Sequence, residues 1–324
     1  MRVGLYLDLR NPPAWRRPWE EVYAEALASA EEAERLGAHS VWLSEHHLFE
    51  DGYLPQPLTL AAALAARTKR LRIGTAVLLA PLRPAIQILE EAALVDCLSG
   101  GRLELGLGAG YRVPEFQAYG QDLAGRWRAV GERVREIRRL LAEGRVTPPP
   151  LQDPLPLWLG FQTPRGARRA GRLGAHLLSA DPALAAPYRE GLAEAGLPPE
   201  AARMAGPLHF LLADDPEAAW PVALPHFRYQ WDSYRRYLAE GRPDLEPPRP
   251  IDPEQWRRPG PGGAPPRIGA FAPDEAAALL RGWLAGSPVE EVFFWGGFAG
   301  LPAALARRHL ELVCTKLGPA LADI

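Results

Sequence analysis

Glu45, His46 and His47 stand in consecutive positions at the end of an apolar run, "VWLSEHH" (41–47). A carboxylate beside two imidazoles can move protons near neutral pH, because an imidazole titrates at about 6.5 in water. The same residue types also bind metals. Neighbouring side chains on extended backbone point to opposite sides, so His46 and His47 are poorly placed to share one ion. No HxH or HExxH spacing follows, and His39, His176, His209, His226 and His309 form no ligand pattern. A metal-dependent hydrolase is therefore disfavoured and no metal ligand is assigned. Two readings stay open at this point: a catalytic histidine, or one core histidine beside one solvated histidine.

Two further stretches carry chemistry. "GLGAGY" (106–111) departs from a dinucleotide fingerprint, since Tyr111 follows Gly110 and no acidic residue stands at the required distance. Its glycines would still let a flat ligand approach the backbone. In "WLGFQTPRGARRAGRLGA" (158–175), Thr163 suits a helix N-cap and Pro164 the first helical position. The first-turn N–H groups of such a helix can bind an anion, with Gln162, Thr163 and Gly166 as a cradle and Arg165 or Arg168 adding charge. Plain capping explains the same residues without a ligand.

Positioning these residues requires a scaffold, and the hydrophobic periodicity supplies one. Apolar runs at 2–9, 40–45, 71–79, 102–110, 157–161, 175–180, 204–213 and 290–296 read as eight strands. Helical text separates most of them. In "PWEEVYAEALASAEEAERLGA", Val22, Ala26, Ala30, Ala33 and Leu36 recur three or four apart. A last helix, 303–321, aligns Leu310, Val313, Leu317 and Leu321. Parallel strands need crossovers, and eight of them favour a closed (β/α)8 TIM barrel in one domain over residues 1–324. Residues at strand exits then face the active site. One segment breaks the rhythm: 226–266 opens "HFRYQWDSYRRY" and closes in proline-rich text, an insertion after strand seven that reads as a lid.

Composition narrows the function classes. A net charge of −2 gives no sign of nucleic acid or an acidic membrane as partner. Hydrophobic residues make up 47%, yet no uncharged run approaches the length of a membrane span. "MRVGLYLDLR" is interrupted by Asp8 and Arg10, unlike a signal sequence. Cys97 and Cys314 lie far apart in helical text, which argues for reduced thiols. The expected location is the cytoplasm.

Five stretches, taken in order, resemble the bacterial luciferase-like flavin monooxygenases: "AEEAERLGAHSVWLSEHH", "RLRIGTAVLLAPLRPAIQILEEAALVDCLSGGRLELGLGAGY", "EFQAYGQD", "PLWLGFQTPRGARRAGRLGAHLL" and "VEEVFFWGGFAGLPAALARRHLELVCTKLGP". The resemblance implies a (β/α)8 barrel, reduced FMN as cosubstrate with oxygen, and a small organic substrate; a 5-deazaflavin coenzyme used for hydride transfer is the alternative. It assigns the general-base role to His46, with Glu45 beside the flavin. It places a non-prolyl cis peptide at Ala76–Val77 under the ring. It carries cofactor contacts onto Gly108, Ala109, Tyr111, Gln162, Thr163 and Gly166. The reactive cysteine and the phosphate-pairing arginine of the luciferases are replaced by Gly108 and Ala109, leaving Arg112, Arg165 or Arg168 as substitutes. The resemblance also implies a homodimer and a separate flavin reductase. A non-catalytic flavin-binding protein is the remaining alternative.

Overall fold

The computed structural model describes residues 1–324 except Pro247. Eight strand positions close into a barrel with every pairing parallel. In chain order they are Arg2–Tyr6, Ser40–Leu43, Arg72–Thr75, Leu103–Gly108, Leu157–Leu159, His176–Leu178, Met204–Leu208 and Val289–Trp295. Strand one pairs with two and eight, and the ring closes where Ile73 meets Leu103. Leu78–Leu79 extends strand three along the end of strand four. Outside the ring, Leu211–Leu212 pairs with Ala270–Phe271.

Alternation along each strand divides the core into two. Val41, Leu43, Ile73, Leu103, Leu105, Leu107, Leu157, Leu159, Leu177, Val292 and Phe294 pack outward against the helices. Trp42, Trp158, Leu178, Ala205 and Phe293 fill the barrel interior. Trp42 stacks on Phe293 at 4.9 Å and meets Trp158 edge-on at 5.9 Å. Its indole donates to the buried Glu291 carboxylate at 3.0 Å, and Trp158 donates to Glu104 at 2.7 Å. The interior is thus plugged below, and open space is confined to the C-terminal mouth.

The helices follow the expected pattern, with Val22, Ala26, Ala30 and Ala33 buried along Trp19–Arg35. The last helix runs Ala303–Leu312, takes one π turn at Val313–Leu317 and ends at Leu321. Helical text after strand four divides into Val113–Ala118 and Arg126–Ala142.

The segment after strand seven differs from a loop. Pro216–Ala239 is one helix, started by the Asp215 cap and carrying Pro221 and Pro225 within it. The two prolines stand four apart, so their missing N–H groups fall on one face. The aromatic half of the insertion, 226–239, is therefore the second part of this helix. The remainder adds the short helix Pro253–Trp256. Phe227 is buried on Phe298 at 4.1 Å, and Tyr229 donates to Asp51 at 3.0 Å. These two anchor the helix, while Trp231 and Tyr234 face the barrel mouth.

Candidate active site

Strand two ends at Leu43, and the chain leaves it through Ser44, Glu45, His46 and His47, all buried. His46 and His47 diverge, as adjacent side chains must. His47 Nε2 pairs with Glu45 Oε1 at 2.6 Å, and Tyr119 reaches its Nδ1 at 3.3 Å. His46 turns into the mouth, stacked on Phe49 at 4.6 Å and edge-on to Tyr53 at 4.9 Å.

Glu115 fixes His46. Its Oε1 accepts His46 Nδ1–H at 2.9 Å and His47 N–H at 2.8 Å. A carboxylate only accepts, so Nδ1 carries the proton and Nε2 presents a lone pair. The Tyr111 hydroxyl stands 3.4 Å from that Nε2. Burial pushes the Tyr111 phenol well above its ordinary value, as it does for Tyr6 and Tyr53. These hydroxyls stay protonated and serve as donors. Glu115 Oε2 is buried without a hydrogen-bond partner among the described residues.

Glu45 is a strut. Its Oε2 accepts the Leu79 N–H at 2.7 Å, and Arg83 pairs with Oε1 at 2.7 Å. The carboxylate ties the strand-two exit to the extension of strand three, beside the non-prolyl cis peptide Ala76–Val77. The Tyr6 hydroxyl donates to the Ala76 carbonyl.

A cavity of about 220 Å³ lies between these groups. Glu45, His46, Ala76, Val77, Gly108, Ala109 and Tyr111 line it, together with Tyr6, Tyr53, Trp127, Gly160 and Tyr234. The role of Gly108 is more specific than close approach to a ligand. A Cβ there would lie 2.1 Å from Val77 Cγ2, and one on Gly160 would lie 2.6 Å from Val77 Cγ1. The two glycines accept the Val77 methyl groups and leave its isopropyl as a half-buried apolar platform in the cavity.

Gln162, Thr163 and Gly166 do not line this cavity; their turn begins two residues past Gly160. The Gln162 amide donates to the Leu178 carbonyl at 2.7 Å and accepts from Ser179 at 2.9 Å. Thr163 Oγ1 accepts the Gly166 N–H at 3.1 Å, which is capping of the helix Pro164–Arg172. Of the substitute arginines, Arg168 is paired with Glu194, and Arg112 with Glu240 and the His47 carbonyl. Arg165 alone of the three has no ion-pair partner among the described residues.

Sequence reasoning gave Glu115 no role, although this residue opens the stretch "EFQAYGQD" that carries part of the resemblance. It also missed Arg10 and Asp8, read only as breaks in an apolar run. Arg10 Nη2 meets Asp8 Oδ2 at 2.8 Å in a wholly buried pair, and its guanidinium lies 4.9 Å from both the Tyr53 and Tyr234 rings. Asp8 also accepts the Ala299 N–H at 3.0 Å, linking the exits of strands one and eight. Among the described residues, no cluster of three His, Cys, Asp or Glu side chains is placed to hold a metal ion.

A family model for luciferase-like monooxygenases matches residues 1–291. This chain belongs to that family. It is 30% identical over 197 residues to the oxygenase component of the flavin-dependent trigonelline monooxygenase of Acinetobacter baylyi, covering 55% of this chain and 53% of that one. It is 34% identical over 164 residues to the F420-dependent glucose-6-phosphate dehydrogenase of Amycolatopsis mediterranei, covering 44% and 49%. Among solved structures, the monooxygenase RslO1 from Streptomyces bottropensis superposes with a TM-score of 0.79 at 25% identity, over 98% of this chain and 99% of that one. The matched segments span about half the length of the first curated relatives. No helix is long and apolar enough to cross a membrane among the described residues.

Proposed function

We propose that this luciferase-like protein is the oxygenase of a flavin-dependent monooxygenase, taking reduced FMN and molecular oxygen to a small organic substrate. The observation that carries the reading is the placement of His46. Its Nδ1 is tied to the buried Glu115, and its ring lines the same cavity as the Val77 platform.

The residues present suit a flavin. Val77, backed by Gly108 and Gly160, gives an apolar surface for a flat ring, and the Tyr6, Tyr53 and Tyr111 side chains that line the cavity give polar edges. When bound, the reduced ring supplies the electrons for oxygen or, in a deazaflavin, a hydride for the substrate. The chain's own work is proton handling and exclusion of water. His46 takes a proton at Nε2, and Glu115 holds the imidazole in the required tautomer and balances the charge that forms. Tyr111, held protonated by its burial, donates a hydrogen bond from the cavity side. Trp231 and Tyr234, on the helix Pro216–Ala239, roof the mouth and keep it dry. Arg165 and the first turn of Pro164–Arg172 are the position assigned to a nucleotide phosphate, because Arg165 has no ion-pair partner among the described residues and a helix start offers free N–H groups.

The deazaflavin reading is favoured by one feature, the absence of an arginine at Ala109 in the strand-four exit. Titrating purified protein with FMN, reduced FMN and reduced deazaflavin separates the two. Tightest binding of reduced FMN supports the oxygenase, and exclusive binding of deazaflavin replaces it with a hydride-transfer enzyme.

Reduced FMN is supplied by a separate reductase, as befits a chain without a dinucleotide fingerprint. The protein acts in the cytoplasm as a homodimer. Ile86, Leu94 and Leu98 form an exposed ridge on the helix Ala85–Ser99, with both leucines 52% accessible, and a second copy covers it.

A further inference from the structure

Two buried indole N–H groups in the barrel mouth have no acceptor among the described residues: those of Trp231 and Trp295. Such groups are rare in folded proteins, because an unpaired buried donor costs about 1–3 kcal/mol. Trp295 ends strand eight and is 98% buried by its 2% accessibility. Its ring lies on Tyr6 at 4.1 Å. Trp231 stands on the roofing helix, 6.1 Å from Tyr234. Tyr6 and Tyr234 both line the cavity beside His46, so the two tryptophan rings pack next to its wall.

His209 stands between them. Its ring lies 4.8 Å from Trp231 and 5.7 Å from Trp295. Burial, with the Arg10 charge adding to it, pushes this imidazole down to about 3, so it is neutral at any working pH. Pro207 and His209 alternate toward the barrel axis on this side of the mouth, and neither is fully covered. Arg10, the nearby cation, lies over the Trp295 ring at 5.3 Å and is neutralised by Asp8. The region thus offers flat aromatic walls, N–H donors and no uncompensated charge.

We infer that Trp231, Trp295 and His209 form the substrate subsite, and that it takes an uncharged planar aromatic compound bearing a carbonyl oxygen. The oxygen accepts from the indoles, and the ring lies among the aromatic walls. An anionic substrate would meet no free cation there. A flexible aliphatic aldehyde could reach the indoles but would forgo the packing of a flat ring against the aromatic walls. The inference rests on the oxygenase reading only for calling the ligand a substrate; binding itself requires no flavin.

The test uses purified flavin-free protein with 15N-labelled tryptophan indoles and three probes: α-tetralone, naphthoate and decanal. Trp231→Phe and Trp295→Phe assign the two resonances, and neither variant breaks a hydrogen bond. Expected is a downfield shift of both resonances on adding α-tetralone, with its dissociation constant raised at least fivefold in either variant. Naphthoate and decanal should bind at least tenfold more weakly. The proposal is overturned if α-tetralone does not bind, if it binds without moving either resonance, or if naphthoate binds as tightly. Should one variant fail to fold, the shifts in the wild-type protein and the other variant decide. FMN titrated separately keeps the two readings apart, since lost flavin binding with intact α-tetralone binding refutes only the flavin assignment.

Discussion

Glu115 Oε1 lies 2.9 Å from His46 Nδ1, and both side chains are buried, though 69 positions separate them in the chain. The pair holds His46 in one orientation and one tautomer, as the proposed base requires. His46→Ala should lower turnover by about 10²–10⁴-fold while flavin affinity stays within about threefold. Glu115→Gln keeps the shape and removes the charge, and should cost about tenfold or more in turnover. Steady-state kinetics with parallel flavin titrations check both. Full turnover in the alanine variant would remove His46 from the mechanism.

Val77 depends on two glycines that have no other evident task. Gly108→Ala would put a methyl group against Val77 Cγ2 and push the platform into the cavity. Overpacking of this kind costs about 1–3 kcal/mol of stability. Flavin affinity should fall by about tenfold, and Gly160→Ala should act in the same direction. Thermal melts and fluorescence titration read the two effects separately.

The Gln162–Gly166 turn offers a test of capping against phosphate binding. Thr163→Ala removes a cap and should cost about 1 kcal/mol in stability whatever the ligand. Arg165→Ala should weaken FMN and leave riboflavin unaffected. Equal loss for both ligands, or none for either, would move the phosphate elsewhere.

Stability should depend on acid through the buried histidines. His209 is pushed down to about 3 and His309 to about 4, chiefly by burial. A histidine with a lowered folded value contributes stability that is complete above about 6.5 and is lost as pH falls toward the folded value. Each contributes a slope of up to about 1.4 kcal/mol per pH unit below that point. Urea unfolding between pH 7.5 and pH 4.5 should show the midpoint falling, and His309→Gln should flatten the curve. A flat curve in the wild-type protein would contradict the assignment of these imidazoles as neutral.

The exposed ridge of the helix Ala85–Ser99 predicts that Leu94→Arg yields a monomer. Light scattering behind a sizing column would show the change, and a wild-type protein that is itself monomeric would exclude the dimer.

The barrel was legible because alternation marks each strand and the crossovers between strands force parallel pairing. His46 was legible because polar residues at a strand exit interrupt an apolar run. Glu115 was not, since nothing local distinguishes it from a first-turn helix carboxylate; only closure of the ring brings it to the strand-two exit. Gly108 was legible as a close approach, but the approaching group is Val77, which periodicity cannot reveal. The aromatic residues of 226–239 read as the start of a lid insertion because the following proline-rich text masked the helix that carries them. Phe227 and Tyr229 proved to be anchors, and Trp231 and Tyr234 the residues that face the mouth.

The most direct measurement of the central claim is a crystal structure of the FMN complex. The account predicts the ring system on Val77, within reach of His46 Nε2, and the phosphate toward Arg165. A flavin lodged in the separate groove beside Asn11 and Gly297, or away from His46 altogether, would contradict it.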